Sequence, residues 1–431
     1  MYFLAYNIII TTITFFAAPL LFFLFRGLMD ENFKERLGLL NPIKIPPTEN
    51  KLRIWIHAVS VGEVKVARAI VNEVEKRGGD FLLVLSTTTK TGRQEALREM
   101  PAGVVIIYNP FDLYWCVKGS LKRISPDIFI NLETEIWPNF MWACRRYNIP
   151  AFLVNGRISS KSVEKYRYLR FLLKNVLSIY ELLSMISSLD AKRIISIGAN
   201  PDRVVVGGNA KYDLIFNEAR PELSKKMAKL YKINRGRTVF VAGSTMEGEE
   251  QIIIDTYKNL LAEYRDMVLI LAPRHIDRCR KIESLLNFHN LDYYFRSELK
   301  DDLKGSSNAH VIIIDVFGEL FGVYSLGSVI FCGGSLVPRG GHNVIEAAIW
   351  GKPVIYGPFM ENFLDAKELL ERAGAGFEIK DCDDMTKNAR WILEHQKECY
   401  KIGVQVREDI KTSKGSAEKQ VENVFRHFNA K

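Results

Sequence analysis

Carboxylates follow two predicted strands in the first half of the sequence. Glu63 closes the stretch SVGE (60–63), and Glu133 and Glu135 lie in NLETEIWPN (131–139). Carboxylates at the ends of neighbouring strands, facing a basic cleft, suit general acid–base chemistry. A glutamate in the first turn of a helix is also favourable in itself, by about 0.3–1 kcal/mol. For Glu63 alone, a catalytic base and a helix-stabilising charge therefore both stay open.

The most informative stretch is FCGGSLVPRGGHNVIEAAIWGKPVIYGP (331–358). A strand ends in two glycines, a second glycine pair follows, and a helix is predicted to begin near Asn343. Glycines let the backbone approach a ligand, and N–H groups at a helix N-terminus bind phosphate. Glu346 could accept hydrogen bonds from ribose hydroxyls. The alternative is local capping, with Asn343 as N-cap and Glu346 reaching back to it. The whole combination favours nucleotide binding.

Three further loops carry candidate residues after predicted strands. LAPRHID (271–277) contains Pro273 and Arg274, and an arginine can neutralise a phosphate bidentately. DVFGEL (315–320) offers a Gly-Glu turn that could receive a base. Lys211, in GGNAKYD (207–213), could stabilise a departing phosphate from a cleft, although lone surface lysines are more common. In open α/β sheets, ligands bind outside the carboxyl ends of the strands, so these loops are expected to converge.

Short apolar, β-branched runs alternate with helical patterns along the whole chain, which predicts parallel βαβ units. A polar, charged segment near 214–236 separates two series of such runs. We therefore predict an α/β protein with two Rossmann-like domains and a cleft between them. The first series of predicted strands is 53–59, 81–87, 104–108, 127–133, 151–156, 183–188 and 204–208. The second series is 238–244, 267–273, 311–315, 328–334, 353–358 and 376–380.

The predicted domain organisation has four parts. They are a membrane anchor at 1–28, an N-terminal domain at 29–215, a C-terminal domain at 216–400 and a helical segment at 401–431. No charged side chain occurs before Arg26, and the run IIITTITFFAAPLLFFLF (8–25) is long enough to cross a bilayer. Because basic residues follow it, the positive-inside rule predicts a cytoplasmic body. A buried or an interfacial helix remains the alternative.

Composition narrows the classes of partner. The net charge is +9, which favours an anionic partner such as a phosphorylated substrate or an acidic membrane surface. The basic residues form no arm or arginine-rich run, so we predict no nucleic-acid partner. The six cysteines are scattered without metal-ligand spacing, which fits a reducing compartment and predicts no metal site. The segment 157–183 mixes basic and apolar residues and is either an interfacial helix or a half-buried surface helix.

In the same order, the motifs SVGE, NLETEIWPN, GGNAKYD, APRH, DVFGEL and GGSLVPRGGHNVIEAA occur in the Kdo transferases of lipopolysaccharide synthesis. The apolar N-terminus followed by FKERLG (33–38) also resembles that family. The resemblance covers nearly the whole chain. It implies a GT-B glycosyltransferase with two Rossmann-like domains facing a cleft, behind an N-terminal membrane-anchor helix. The acceptor would bind the first domain and the nucleotide the second.

The resemblance also implies the reaction. Such an enzyme moves 3-deoxy-D-manno-octulosonic acid (Kdo) from CMP-Kdo to a lipid A precursor at the inner membrane, with inversion and without a metal or cofactor. Glu63 would be the base, and Glu133 and Lys211 would support the transition state. The implied CMP site consists of Pro273, Arg274, Phe317, Gly318, Glu319, Asn343, Val344, Ile345 and Glu346.

Two alternatives remain from the residues themselves. One is another GT-B enzyme, a transferase or an epimerase that uses a UDP-sugar. The other is a membrane-tethered nucleotide-binding protein without catalytic activity. The motifs would serve equally in enzymes that add one, two or three Kdo residues.

Overall fold

The computed structural model describes residues 2–24, 31–45, 51–234, 236–299, 310–412 and 415–430. The chain forms two compact units. The first comprises Met1–Leu214 together with Lys414–Lys431, and the second comprises Ile215–Ser413. Each unit is built on one parallel sheet of seven strands, as the alternating sequence pattern predicts.

The sheet of the first unit has the order β3-β2-β1-β4-β5-β6-β7. Every run in the predicted first series forms a strand here. Successive side chains of a strand point to opposite faces, so Ile54 and Ile56 enter one hydrophobic core and Trp55 enters the other. The sheet is thus buried on both faces, which is why its strands are continuously apolar. The strands are β1 (Leu52–Ala58), β2 (Phe81–Thr87), β3 (Val105–Tyr108), β4 (Ile128–Leu132), β5 (Ala151–Gly156), β6 (Tyr180–Met185) and β7 (Val204–Val206).

The sheet of the second unit has the order β10-β11-β9-β8-β12-β13-β14. The six runs of the predicted second series form six of these strands. The edge strand β10 was not predicted, because its three half-buried aromatic residues show no alternating pattern. The strands are β8 (Val239–Thr245), β9 (Val268–Pro273), β10 (Tyr293–Phe295), β11 (Val311–Ile313), β12 (Val329–Cys332), β13 (Val354–Tyr356) and β14 (Gly376–Glu378).

Helices connect these strands. Those up to the boundary between the units are α1 (Tyr2–Leu24), α2 (Glu31–Arg36), α3 (Val61–Lys76), α4 (Lys90–Glu99), α5 (Tyr114–Ile124), α6 (Pro138–Arg146), α7 (Ser160–Tyr168), α8 (Arg170–Leu177), α9 (Ser188–Ser196) and α10 (Lys211–Glu218). The later ones are α11 (Pro221–Leu230), α12 (Glu249–Leu261), α13 (Cys279–Phe288), α14 (Leu320–Tyr324), α15 (Ile345–Ala348), α16 (Leu364–Arg372), α17 (Cys382–Glu394), α18 (Gln396–Thr412) and α19 (Ser416–Asn429).

The N-terminal helix α1 contacts the first unit near its own start. The Tyr6 hydroxyl donates a hydrogen bond to Asp112 (2.9 Å), and the Asn7 amide donates one to Asn139 (2.7 Å). Beyond Phe16 the structure describes no side chain of this helix. Within the described part of the chain, no helix is long and apolar enough to cross a membrane. The anchor predicted over 1–28 therefore has no support from the fold, and its residues 25–28 lie outside the described ranges.

The C-terminal helix α19 belongs to the first unit, whereas α18 belongs to the second, so the predicted segment 401–431 is divided between them. Gln420 joins α19 to the sheet. Its side-chain oxygen accepts from the Asn155 N–H (2.5 Å), and its amide donates to the Gly208 carbonyl (2.9 Å). Asp213 accepts from the N–H of Ala417 (2.8 Å) at the start of the same helix. These contacts fix the turn that leads into Lys211.

Replacing Gln420 tests this attachment. Gln420→Ala leaves a buried N–H and a carbonyl without their partner, which costs about 1–3 kcal/mol for an unsatisfied buried group. We expect a lower free energy of unfolding of the first unit in chemical denaturation. Glu422→Ala, at an exposed position of the same helix, is the control and should change it by less than about 0.5 kcal/mol. Equal effects of the two substitutions would contradict this role of Gln420.

Candidate active site

Glu63 lies in the first turn of α3, directly after the loop that leaves β1. Its Oε2 accepts a hydrogen bond from the Val59 N–H (2.7 Å), and its Oε1 accepts one from the Ser60 hydroxyl (3.0 Å). Ser60 is the N-cap residue of the helix. The side chain is only 7% exposed. Glu63 thus does stabilise the start of the helix, but from a buried position that an ordinary capping glutamate does not need.

The pKa of Glu63 is raised to about 7, first by burial and then by the negative charges of Glu133 and Glu135, while the hydrogen bonds from the Val59 N–H and the Ser60 hydroxyl act in the opposite direction. A carboxylate with this pKa is partly ionised at neutral pH and binds a proton readily. General bases work best when their pKa is near the working pH. The capping contact and the base are therefore compatible functions of one side chain.

Glu133 and Lys211 form an ion pair beside Glu63. Glu133 follows β4, and its Oε1 lies 2.6 Å from the Lys211 Nζ. A Cβ placed on Gly62 would lie 3.8 Å from that Nζ, so the ammonium group is next to the first turn of α3. The structure brings the three predicted catalytic residues of the first unit together.

The backbone of Glu133 is in the left-handed region, with φ at 55°. This conformation costs a residue other than glycine of order 1–3 kcal/mol and is concentrated at functional sites. Its N–H bonds to the Val154 carbonyl (3.0 Å), which holds the turn in place. Glu135, two residues on, has a pKa raised by burial and by the charge of Glu133. The site therefore contains three carboxylates and one lysine.

In the second unit, a buried glutamate holds the glycine-rich loop. Glu249, at the start of α12, accepts four backbone hydrogen bonds. Its Oε2 receives the N–H of Gly334 (2.7 Å) and of Met246 (2.8 Å), and its Oε1 receives the N–H of Ser335 (3.0 Å) and of Leu336 (2.9 Å). The N–H groups of 334–336 are thus occupied and cannot bind a phosphate. Glu249 was not among the residues predicted from the sequence, where its one signal is its place in a first turn after STMEG (244–248).

The same contact explains the glycine at position 333. A Cβ there would lie 2.8 Å from the Glu249 Oε2 and 2.6 Å from the Ser244 carbonyl oxygen. Any larger residue would displace the carboxylate. The glycines of this loop therefore leave room for the Glu249 carboxylate as well as for a ligand.

Arg274 lies after β9, which is separated from β12 by β8 in the sheet. It follows Pro273, the last residue of β9, and its N–H donates to the Thr245 carbonyl (3.0 Å). His342, between the second glycine pair and Asn343, has its pKa lowered to about 4 by burial and by the positive charges of Arg274 and His275. Its ring is neutral at pH 7, and Arg274 lies close enough to influence it.

The segment from Asn343 to Glu346 makes local contacts at the start of a helix, but the capping that was the alternative interpretation is not observed, because the N-cap residue is Val344 and not Asn343. The Asn343 Oδ1 accepts from the Ile345 N–H (3.2 Å), and its amide approaches the Glu346 carboxylate (3.5 Å). The helix α15 begins at Ile345, two residues after the predicted start. Val344 and Ile345 are fully buried, main chain included, so neither residue is open to a ligand in this structure.

The loop after β11 presents an exposed ring and an engaged carboxylate. Phe317 is 85% exposed, and Gly318 has φ at 85°. Glu319 accepts from the Tyr231 hydroxyl (2.7 Å) and from the Arg296 guanidinium (2.8 and 3.1 Å). Nothing in the sequence pattern pointed to Arg296 or Tyr231, which meet Glu319 only in the folded unit.

Two parallel-sheet α/β units of this kind define the fold of GT-B glycosyltransferases and related epimerases. A UDP-GlcNAc 2-epimerase from Neisseria meningitidis matches with a TM-score of 0.63 at 14% identity, over 87% of this chain and 100% of that one. A glycosyltransferase from Rickettsia africae matches with a TM-score of 0.61 at 15% identity, over 89% of this chain and 99% of that one. At these identities the likeness concerns the fold alone.

Sequence comparison identifies the family. A family model described as 3-deoxy-D-manno-octulosonic-acid transferase (kdotransferase) matches residues 31–214. The 3-deoxy-D-manno-octulosonic acid transferase of Haemophilus influenzae is 31% identical over 371 residues, 85% of this chain and 84% of that protein. A bifunctional glycosyltransferase/methyltransferase of Fusobacterium nucleatum is 34% identical over 377 residues, 87% of this chain, and the chain spans 58% of that protein's length. The chain belongs to the Kdo transferase family.

From the four hydrogen bonds to Glu249 we predict how the glycine-rich loop responds when this side chain is removed. Glu249→Ala removes the acceptor of four N–H groups, which should lower the free energy of local opening of the loop by about 1–3 kcal/mol. The amides of 334–336 should then exchange about 5- to 150-fold faster. Hydrogen–deuterium exchange with mass spectrometry measures this rate. Glu247→Ala, at an exposed position before the same helix, should leave it unchanged. Unaltered exchange in Glu249→Ala would show that the conformation of the loop does not depend on the Glu249 carboxylate.

The charge of Glu133 predicts a shift at Glu63. Because a neighbouring negative charge raises the pKa of a carboxyl group, Glu133→Gln should lower the pKa of Glu63 from about 7. Infrared difference titration, with Glu63→Gln to identify the band, measures the midpoint. Glu99→Gln, on the exposed end of α4, serves as the control and should leave the midpoint in place. An unchanged or higher midpoint in Glu133→Gln would contradict the coupling.

Proposed function

We propose that this chain transfers Kdo from CMP-Kdo to a lipid A precursor in lipopolysaccharide synthesis, with inversion at the anomeric carbon and without a metal ion. Membership of the Kdo transferase family supports the reaction class. The observation that carries the mechanism is the buried Glu63, with a pKa near 7, beside the Glu133–Lys211 pair.

In the proposed step, a hydroxyl oxygen of the acceptor attacks the anomeric carbon of Kdo. Glu63 takes the hydroxyl proton as the new carbon–oxygen bond forms. The bond between that carbon and the phosphate oxygen of CMP breaks, and its electron pair leaves with CMP. Attack from the face opposite to CMP inverts the configuration. Of the described carboxylates in this part of the first unit, Glu63 combines a neutral-range pKa with a fixed orientation.

Glu133 and Lys211 then have a shared supporting function. The ion pair at 2.6 Å fixes the Lys211 ammonium beside the first turn of α3. In this position the cation offsets negative charge that develops during transfer. The charge of Glu133 also keeps the pKa of Glu63 high enough for it to accept a proton.

The second unit is proposed to hold the CMP part of the donor. Arg274, after Pro273, supplies the cation for the phosphate, next to the neutral His342. The exposed ring of Phe317, with the turn at Gly318 and Glu319, receives the base. In the segment Asn343–Glu346, the Glu346 carboxylate is offered to ribose hydroxyls, and the buried Val344 and Ile345 hold the segment in place.

We further propose that α1 keeps the protein at the inner membrane, with the body on the cytoplasmic side, where a lipid acceptor is accessible. Support comes from the uncharged run 8–25 and the basic residues that follow it. It also comes from four large apolar side chains of α1 that are more than half exposed, Ile8, Ile9, Ile13 and Phe16. Such a surface matches the boundary layer of a bilayer.

A product assay tests the function. The full chain is incubated with a lipid A precursor and CMP-Kdo, and the lipid is analysed by mass spectrometry. We expect a mass gain of one or more Kdo units, and a rate about 10²–10⁴-fold lower in Glu63→Gln, the usual contribution of a general base. Glu75→Gln, at an exposed position of the same helix, is the matched control and should keep the wild-type rate.

Three outcomes would contradict the proposal. A wild-type rate in Glu63→Gln would exclude Glu63 as the base. No Kdo product together with preferential UDP binding would indicate a UDP-sugar enzyme. CMP binding without product from any sugar nucleotide would indicate a non-catalytic binding protein.

A further inference from the structure

The second unit has a cavity of about 540 Å³ at the amino ends of β8, β12 and β13. This is the opposite end of these strands from the loops that carry Arg274 and the glycine pairs. Its walls come from the segments just before the three strands, 236–238, Ser328 and 350–353, and from α18. We call it the basal cavity. None of the residues assigned to the proposed transfer reaction lines it.

The basal cavity is basic. Arg237, Lys352 and Arg407 line it, and no aspartate or glutamate is among the residues that do. Like charges gathered around one space repel each other, and an anion in that space relieves the repulsion. Glu263, in a neighbouring hollow, is already paired with Arg390 at 2.7 Å. Arg237 also lines that hollow, together with Glu263 and Asp266, so an anion would be attracted chiefly by Lys352 and Arg407.

Lys352 is the clearest example of the excess positive charge around the cavity. Its Nζ donates to the Gly327 carbonyl (2.6 Å), and burial lowers its pKa. None of the residues that line the cavity with Lys352 carries a carboxylate. A buried ammonium group is costly unless an opposite charge lies close to it. A bound anion would supply that charge.

Arg407 approaches the same position from α18. Its Cδ lies 3.4 Å from where a Cβ on Gly351 would be, so the side chain runs along the residue next to Lys352. The helix can come this close because position 403 is glycine, where a Cβ would lie 2.0 Å from the Gly351 carbonyl oxygen. The guanidinium has five donors in a planar fork that fits phosphate oxygens.

The helix α18 also brings apolar side chains to the cavity. Tyr400 is 74% exposed and Val404 is 49% exposed, one turn apart on α18. Large exposed side chains beside a basic pocket suit a ligand with both an anionic and an apolar part.

We propose that the basal cavity binds a small phosphorylated ligand, with its phosphate at Lys352 and Arg407 and its apolar part against Tyr400 and Val404. The phosphate belongs either to a soluble metabolite or to a lipid headgroup. This site is separate from the proposed donor site, and its existence does not depend on the transfer reaction.

Calorimetric titration of the full chain tests the proposal. Inorganic pyrophosphate is the soluble probe, and CMP is present throughout to occupy the proposed donor site. Vesicles with and without phosphatidylglycerol are the lipid probe. We expect binding to be at least tenfold weaker in Lys352→Met and in Arg407→Gln. Lys401→Gln, an exposed lysine of α18 that does not line the cavity, is the matched control and should bind within twofold of wild type.

Pyrophosphate binding that depends on Lys352 and Arg407 supports the proposal and assigns a soluble ligand. Binding to phosphatidylglycerol vesicles alone, with the same dependence, supports it and assigns a lipid headgroup. Arg407 is exposed, so its substitution leaves the fold intact and the result interpretable. Equal binding by all variants, or no binding of either probe by wild type, would overturn it.

Discussion

Removal of one carboxylate from water is the interaction on which the proposed chemistry depends. Glu63 is buried at the start of α3 with two hydrogen bonds, fewer than a carboxylate can accept, and next to the charge of Glu133. The two bonds orient it, and the missing hydration makes it basic. The loop from β1, the strained turn at Glu133 and the α19 contacts that hold the Lys211 turn all serve to maintain this arrangement.

The second unit also contains a buried glutamate at the start of a helix, but the hydrogen bonding of its carboxylate is different. Glu249 is buried even more completely than Glu63, but its four backbone hydrogen bonds satisfy the carboxylate. Burial still raises its pKa, and the hydrogen bonds counteract this. We therefore propose that Glu63 is a reactive group, whereas Glu249 holds the glycine-rich loop. The difference lies in the number of donors around each, since both occupy the first turn of a helix after a strand.

The sequence predicts the sheets well because buried parallel strands must be apolar on both faces, and the runs around Trp55 and Phe240 satisfy that rule. It fails at β10, where three aromatic residues at a sheet edge carry no periodic signal. Glu63, Glu133 and Lys211 could be proposed from loop position and family motifs. The ion pair between Glu133 and Lys211 and the raised pKa of Glu63 could not be predicted, because both arise only in the folded unit. Glu249 and Arg296 were missed for the same reason, since their partners are distant in sequence.

The most direct test of the account is the pH dependence of a single turnover, which reports the chemical step and not product release. If Glu63 is the base, the wild-type rate should rise about tenfold per pH unit below its midpoint and level off above it. That midpoint should lie near 7, the pKa to which burial and the neighbouring carboxylates together raise Glu63. A rate that does not change through this range, or one that keeps the same profile in Glu63→Gln, would contradict the central claim.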